Sequence, residues 1–365
     1  MNDTTLPLRV PAEWEYCDFI LMAEPNVFSD WNYILPQAKK QYLRLIKTFI
    51  EAGENVMLMC RNREEASVTY GDCNSRLSFV EMNYNDTWTR DYGPITAIKY
   101  GKEIRQLDFG FNGWGLKFAS NLDNLVNLGL QKRGVISPNH YRNNRDFELE
   151  GGSVDSDGKG TILTTSRCLL SPNRNGGRSK AELNEILKRR LGADHVLWLD
   201  HGFLPGDDTD SHVDTLARLA PHDTIIYCGC DDEGAVNYSE MKLMEKQLKE
   251  FRTAEGSPFN LVELPMPDAI YDPDDGIQLP ATYANYLVTP RNIFIPSYGQ
   301  PQKDEPARKI INSVFPNHTA YSADCLTLLR QHGSLHCSTM QMTMRRHWNE
   351  PYTGDFMPTV EYYRN

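Results

Sequence analysis

This chain predicts an α/β fold, and three observations predict it. Short apolar runs of strand length recur along the chain, they alternate with stretches whose apolar residues return at helical spacing, and no Pro/Ser/Gly-rich linker divides them. The 365 residues allow one large domain or two ordinary ones. Without a linker, the expectation is one domain over 1–365 with its core at about 10–345.

The elements follow in chain order. Pro36 opens a helix in which Tyr42, Leu45, Ile46, Phe49 and Ile50 recur at helical spacing, and Ala52-Gly53 ends it. Strands are predicted at Val56 to Cys60 and Ile95 to Tyr100. The run Asp155-Ser156-Asp157-Gly158-Lys159-Gly160 superficially suggests a calcium loop. It lacks the later ligands and closing Glu, so it reads as a tight connection ahead of a strand at Thr161 to Thr165. Ser179 and Glu182 make a capping-box signature for a helix carrying Leu183, Ile186, Leu187 and Leu191, closed by Gly192. Strands then follow at Val196 to Leu199 and Thr224 to Cys228. A helix is predicted over Ser239 to Phe251 with Leu243, Met244 and Leu248 inward, then a strand at Asn292 to Pro296, then a helix starting at Asp304 with Pro306 in its first turn.

Composition narrows the function. The net charge of −11, with pI near 5.4, argues against nucleic acid or an anionic membrane as partner, because both demand a positive footprint. A small cation fits better. No run reaches the ~18 apolar residues of a spanning helix, and Met1 to Pro11 does not resemble a secretory signal. A cytoplasmic protein is therefore expected, with its eight cysteines (17, 60, 73, 168, 228, 230, 325 and 337) as reduced thiols. Cys228-Gly229-Cys230 ends an apolar run and reads as structural. Neither a dinucleotide-binding glycine turn nor a phosphate loop occurs, so no nucleotide cofactor is expected.

Five segments carry candidate chemistry. Gly206-Asp207-Asp208-Thr209-Asp210-Ser211-His212-Val213-Asp214 concentrates four carboxylates and an imidazole without a Lys or Arg. Such a cluster wants a cation. If residues 211–217 are extended, His212 and Asp214 share a face; the alternative is an acidic surface turn. Asp86-Thr87-Trp88-Thr89-Arg90-Asp91-Tyr92-Gly93-Pro94 sets an aromatic face among charges, which suits a flat cation, or else is a Trp-anchored loop with an internal Arg to Asp pair. Glu150 precedes Gly151-Gly152, where a backbone can pass close to a ligand. Asn285 either bonds a substrate or closes a turn.

In the fifth segment, Cys337 follows His332-Gly333-Ser334-Leu335-His336, a glycine-containing loop that can expose a thiol. On a strand His336 would point away from Cys337, so His212 is the better working imidazole. Together these residues specify attack by sulfur on a flat cationic carbon, and a guanidinium gripped by Asp91 and Asp214 is the natural candidate. A metal hydrolase using His212, Asp214 and Cys337 is the competing enzyme reading, although metal-ligand spacing is missing.

These segments, with Phe111-Asn112-Gly113-Trp114-Gly115, resemble those of the agmatine deiminase and bacterial peptidyl-arginine deiminase family of guanidine-modifying enzymes. The resemblance implies a pentein-type α/β propeller of five ββαβ modules with pseudo-fivefold symmetry. Spacings of 59, 62, 73 and 52 residues between Asp91, Glu150, His212, Asn285 and Cys337 agree with one candidate per module. It also implies the roles: Cys337 as nucleophile, His212 as general acid then base with Glu150 hydrogen-bonded to it, Asp91 and Asp214 on the guanidinium, Trp88 lining the pocket and Asn285 in support. Agmatine hydrolysis to N-carbamoylputrescine is the implied activity, serving putrescine and polyamine metabolism, without cofactor or metal. Asp208 or Asp210 would take the substrate's amine end.

Peptidyl-arginine hydrolysis is the alternative, and a guanidine-binding sensor the non-enzyme one, though a binder has no use for a thiol facing the cation. Free arginine is disfavoured because no basic residue is evident for its carboxylate, with Arg174 and Arg178 as distant options. The resemblance suggests a homo-oligomer. The chain departs from its apparent relatives at Gln331-His332-Gly333-Ser334, where many are richer in glycine, and at Ser211, where Gly is frequent.

Overall fold

The computed structural model describes residues 8–71 and 75–344. Among them one three-strand pattern recurs five times: a strand, an antiparallel neighbour, then a helical crossover to a third strand parallel to the second. It runs through Ile95–Lys99, Glu103–Gly110 and Tyr141–Glu148, and through Val154–Ser156, Thr161–Thr165 and His195–Leu199. Ala217–Ala220, Thr224–Cys228 and Asn260–Leu264 repeat it, as do Leu287–Val288, Asn292–Ser297 and Thr319–Asp324. The fifth copy joins the ends of the chain. Met340–Met342 lies antiparallel to Phe19–Ala23, which is parallel to Val56–Cys60.

The crossover helices are Leu35–Glu51, Val126–Lys132, Lys180–Leu191, Tyr238–Glu250 and Pro301–Val314. Each covers its sheet, so strands such as Phe19–Ala23, Val56–Cys60, Thr161–Thr165 and Thr224–Cys228 are buried at every position. Burial on both faces explains why they read as continuous apolar runs. Packing between helix and sheet is close, as where Phe49 meets Phe294 edge to face at 4.7 Å.

Local chemistry sets most boundaries. Helix Leu35–Glu51 has its Pro in the first turn and buries Ala38, Tyr42, Leu45, Ile46 and Phe49. Both halves of the capping box form at Ser179 and Glu182, and Gly192 turns left-handed at φ 73° to end that helix. The Asp157–Gly160 connection is a hairpin between antiparallel strands.

Two helix readings need correction. In Tyr238–Glu250 Met244 and Leu248 face inward as expected, but Leu243 is 41% exposed and Met241, three residues before Met244 on the same face, is buried in its stead. The last crossover helix begins at Pro301 rather than Asp304, leaving Pro306 inside it. Asp304 instead reaches back to accept from the backbone N–H groups of Tyr298 and Gln300. Its capping chemistry was legible, but not its place one turn inside the helix.

The described cysteines are all buried free thiols, while Cys73 lies outside the described residues, as do residues 1–7 and 345 onward. Among the described residues no helix is long and apolar enough to cross a membrane.

Candidate active site

Every one of the five repeats delivers side chains to one place, from the turn just ahead of its first strand. Asp91 sits on the short helix Thr89–Tyr92 before Ile95–Lys99, and Glu150 with Gly151–Ser153 comes before Val154–Ser156. His212 and the turn Val213–Thr215 precede Ala217–Ala220. Asn285 precedes Leu287–Val288, and Cys337 precedes Met340–Met342.

Asp91 is buried and accepts from the Trp114 indole Nε1 at 2.9 Å and from the Gly152 backbone N–H at 3.0 Å. Its Oδ1 is 3.5 Å from His212 Nδ1. Burial raises the Asp91 carboxyl and Asp214 adds to this, while the imidazole of His212 opposes it. Burial works against a charged His212 too, yet Asp91, Cys168 and Glu150 outweigh it and hold the ring well above the ordinary imidazole range. This favours the protonated ring. Among the described residues its buried Nε2 has no hydrogen-bond partner.

The segment carrying His212 is not extended, contrary to the premise drawn from its sequence. Asp207 caps a turn by accepting from the N–H groups of Thr209 and Ser211, and Asp210 and Ser211 both take positive φ, 66° and 62°. Ser211 thus holds a backbone conformation that glycine adopts more easily. His212 and Asp214 converge through the helical turn that follows.

Asp214 Oδ2 is 2.8 Å from His336 Nδ1, while Oδ1 is a buried acceptor without a partner among the described residues. Burial opposes its ionisation, but His336 more than compensates and keeps this carboxyl below the usual range. His336 was expected to point elsewhere. Residues 335–338 form a turn, not a strand, so His336 and Cys337 both reach Asp214, the thiol at 3.9 Å. Asn285 completes the setting: its Nδ2 is 3.3 Å from Cys337 Sγ, and its Oδ1 accepts from the N–H groups of His336 and Cys337 at 2.9 and 3.3 Å. Burial, then Asp214 and Asp91, push the Cys337 thiol well above its ordinary value.

Cys337 opens onto a cavity of about 160 Å³ lined also by Trp88, Asp91, Trp114, Asp30, Asp86 and Asp208. Trp88 forms a wall backed by Gly333, where an added Cβ would stand 2.4 Å from the indole. Burial lifts Asp86 to about 7 and Asp208 to about 6, the latter despite His332 nearby.

Two expected roles, and the internal Arg to Asp pair of the alternative loop reading, are not found in that form. Asp210 does not line the cavity, because it pairs with Arg174 at 2.6 Å and Lys117 at 2.7 Å. Glu150 does not hydrogen-bond to His212; both its oxygens take the Arg174 Nε, at 2.7 and 3.0 Å. Arg90 pairs with Glu13 at 3.1 Å rather than with a neighbouring Asp.

Glu13 was invisible in the sequence. It bridges His336 Nε2 at 2.6 Å, Arg218 at 2.9 Å and Arg90, so a partly buried anion from the N-terminal segment braces the histidine that braces Asp214. Burial would neutralise Glu13, but His336, Arg218 and Arg90 hold its carboxyl well below the usual range. The sequence marks Cys168 only as one of the reduced thiols. With Glu150 and His212 it forms the one group of metal-ligating type found among the described residues, its atoms within 4.8 Å of each other. The grip of the Arg174 guanidinium on Glu150 puts a positive charge where a cation would sit.

The sequence matches the family model of Porphyromonas-type peptidyl-arginine deiminases over residues 9–343. An agmatine deiminase of Pseudomonas aeruginosa (strain LESB58) is 31% identical, the match covering 94% of this chain and 99% of that one. A crystal structure given provisionally as a peptidyl-arginine deiminase is 40% identical, over 93% of this chain and 99% of that one, with a TM-score of 0.88. A cysteine-to-serine variant of C. jejuni agmatine deiminase with substrate bound is 35% identical, over 92% and 96%, with a TM-score of 0.83. The fold is the α/β fold of these enzymes, and the chain belongs to the Porphyromonas-type peptidyl-arginine deiminase family.

Proposed function

We propose that this protein is an agmatine deiminase, hydrolysing the guanidinium of agmatine to N-carbamoylputrescine and ammonia through a covalent intermediate on Cys337. The observation that carries this reading is a thiol set between Asn285 and Asp214 at the floor of a cavity whose other charged walls are carboxylates. A planar cation has somewhere to bind and a sulfur to meet.

Asp91 and Asp214 would take the guanidinium nitrogens, and the unpartnered Asp214 Oδ1 is an acceptor awaiting an N–H. The resting thiol is neutral, because burial and two carboxylates disfavour a thiolate. Bound guanidinium reverses that balance by supplying positive charge, so the thiol gives up its proton to solvent and the thiolate attacks the central carbon. His212, held protonated, gives its proton to a departing amino group, which leaves as ammonia. The carbon stays bonded to sulfur as a thiouronium. Neutral His212 then takes a proton from water as its oxygen attacks, and collapse to the ureido product expels the sulfur, which with the remaining hydroxyl proton restores the neutral thiol. Glu150 acts at one remove, fixing Arg174 behind the ring.

Asp208, with Asp86, supplies the negative charge a diamine's ammonium needs. Among the described residues no Lys or Arg lines the cavity, Arg174 is committed to Glu150 and Asp210, and exposed Arg178 bonds a backbone carbonyl, all of which disfavours free arginine. The peptidyl-arginine reading stays as second choice because the 40% identical structure carries that name. Incubating the protein separately with agmatine, arginine and an arginine peptide, then assaying ammonia and ureido product, separates the three.

The five recurring sheets support a propeller closed around a pseudo-fivefold axis at the site, as a single domain. Buried free thiols suit a cytoplasmic setting. A homo-oligomer is proposed on family resemblance alone.

A further inference from the structure

The loop that carries Cys337 holds one residue the reaction leaves unused. His332 lines the cavity beside Asp208, and its backbone is left-handed at φ 61°. Its Nδ1 lies 2.8 Å from the backbone carbonyl of Gly206. A carbonyl only accepts, so this nitrogen carries the hydrogen, and in the neutral ring Nε2 is then the lone-pair acceptor. The anchor is itself fixed. At Gly206, with φ 80°, an added Cβ would stand 2.1 Å from the Gln278 carbonyl oxygen, so the loop cannot shift toward that strand. No hydrogen-bond partner for Nε2 occurs among the described residues, whereas the Asp207 carboxylate is used up by its own turn.

We propose that His332 is a specificity-determining residue, whose Nε2 accepts a hydrogen bond from the primary ammonium at the far end of the substrate while Asp208 supplies the opposing charge. This rests on the diamine reading above. It also gives a purpose to a side chain with a Cβ at a left-handed position in the Gln331–Ser334 loop, where glycine would be easier.

The test compares agmatine with butylguanidine, which has the same reacting group and no amine. His332→Asn is the informative variant, since Asn tolerates positive φ and can still donate to the Gly206 carbonyl, but ends before Nε2. The expected result is a rise of about tenfold in KM for agmatine, kcat within about twofold, and unchanged constants for butylguanidine. Equal losses with both compounds, or no change with either, would overturn the proposal. If the native enzyme hydrolyses neither compound, the functional reading has failed separately. His332 is then judged by calorimetry on Cys337→Ser protein: selective loss of agmatine binding on adding His332→Asn upholds the role, and equal or absent loss overturns it.

Discussion

Asn285 and Cys337 stand 52 residues apart in the chain and 3.3 Å apart in space, amide nitrogen to sulfur. Through its oxygen the same amide also holds the backbone N–H groups of His336 and Cys337, so one side chain sets the height and direction of the thiol. Asn285→Ala should lower kcat roughly 10²-fold with a smaller change in KM, because the nucleophile is misplaced rather than removed. Steady-state kinetics checks this; a change confined to KM would place Asn285 on the substrate instead.

Gly152 gives a sharper steric test. A Cβ there would lie 2.8 Å from both Asp91 Oδ1 and His212 Nδ1 and 3.0 Å from Asp214 Oδ2. Gly152→Ala should therefore abolish turnover by pushing apart three groups of the site. Circular dichroism should show the fold retained, and activity near native would mean the three need not converge.

Much of this site could be read beforehand, for an identifiable reason. Asp91, His212, Asp214 and Cys337 lie in turns that spend polar and glycine residues where a core would want apolar ones, and such anomalies are local. The capping box at Ser179 and the all-apolar strands are local for the same reason. Glu13 could not be found this way, since its partner His336 is 323 residues distant and nothing near Glu13 marks it. Asp210 was misjudged because sequence shows how many carboxylates crowd a loop but not which of them Arg174 and Lys117 claim. The extended reading of residues 211–217 failed on backbone conformation, a left-handed pair that non-glycine residues rarely signal.

Glu13→Gln should destabilise the protein by roughly 3 kcal/mol, since it leaves buried Arg90 without its carboxylate and Arg218 with Asp155 as its one remaining acid partner among the described residues. Linkage gives the sign with pH. The folded Glu13 carboxyl lies well below its ordinary value, so its contribution is present above the usual Glu range and lost as pH falls through the depressed folded value. Urea melts of native and variant protein should therefore converge toward low pH, and a constant difference down to pH 3 would contradict the assignment.

The carboxyls at the cavity mouth titrate near neutrality, Asp86 at about 7 and Asp208 at about 6. As pH falls through these values the mouth loses negative charge and its hold on a second cation. The ratio of the KM for agmatine to that for butylguanidine should rise on the order of tenfold between pH 8 and pH 5.5. A flat ratio would remove both acids from recognition of the amine.

The most direct test of the whole account is acid-quenched intact mass spectrometry during turnover of agmatine, followed by peptide mapping. The account predicts an adduct of agmatine less ammonia on the peptide bearing Cys337, absent from Cys337→Ala protein, which should still bind agmatine but release no ammonia. Sustained ammonia release by Cys337→Ala protein would contradict it.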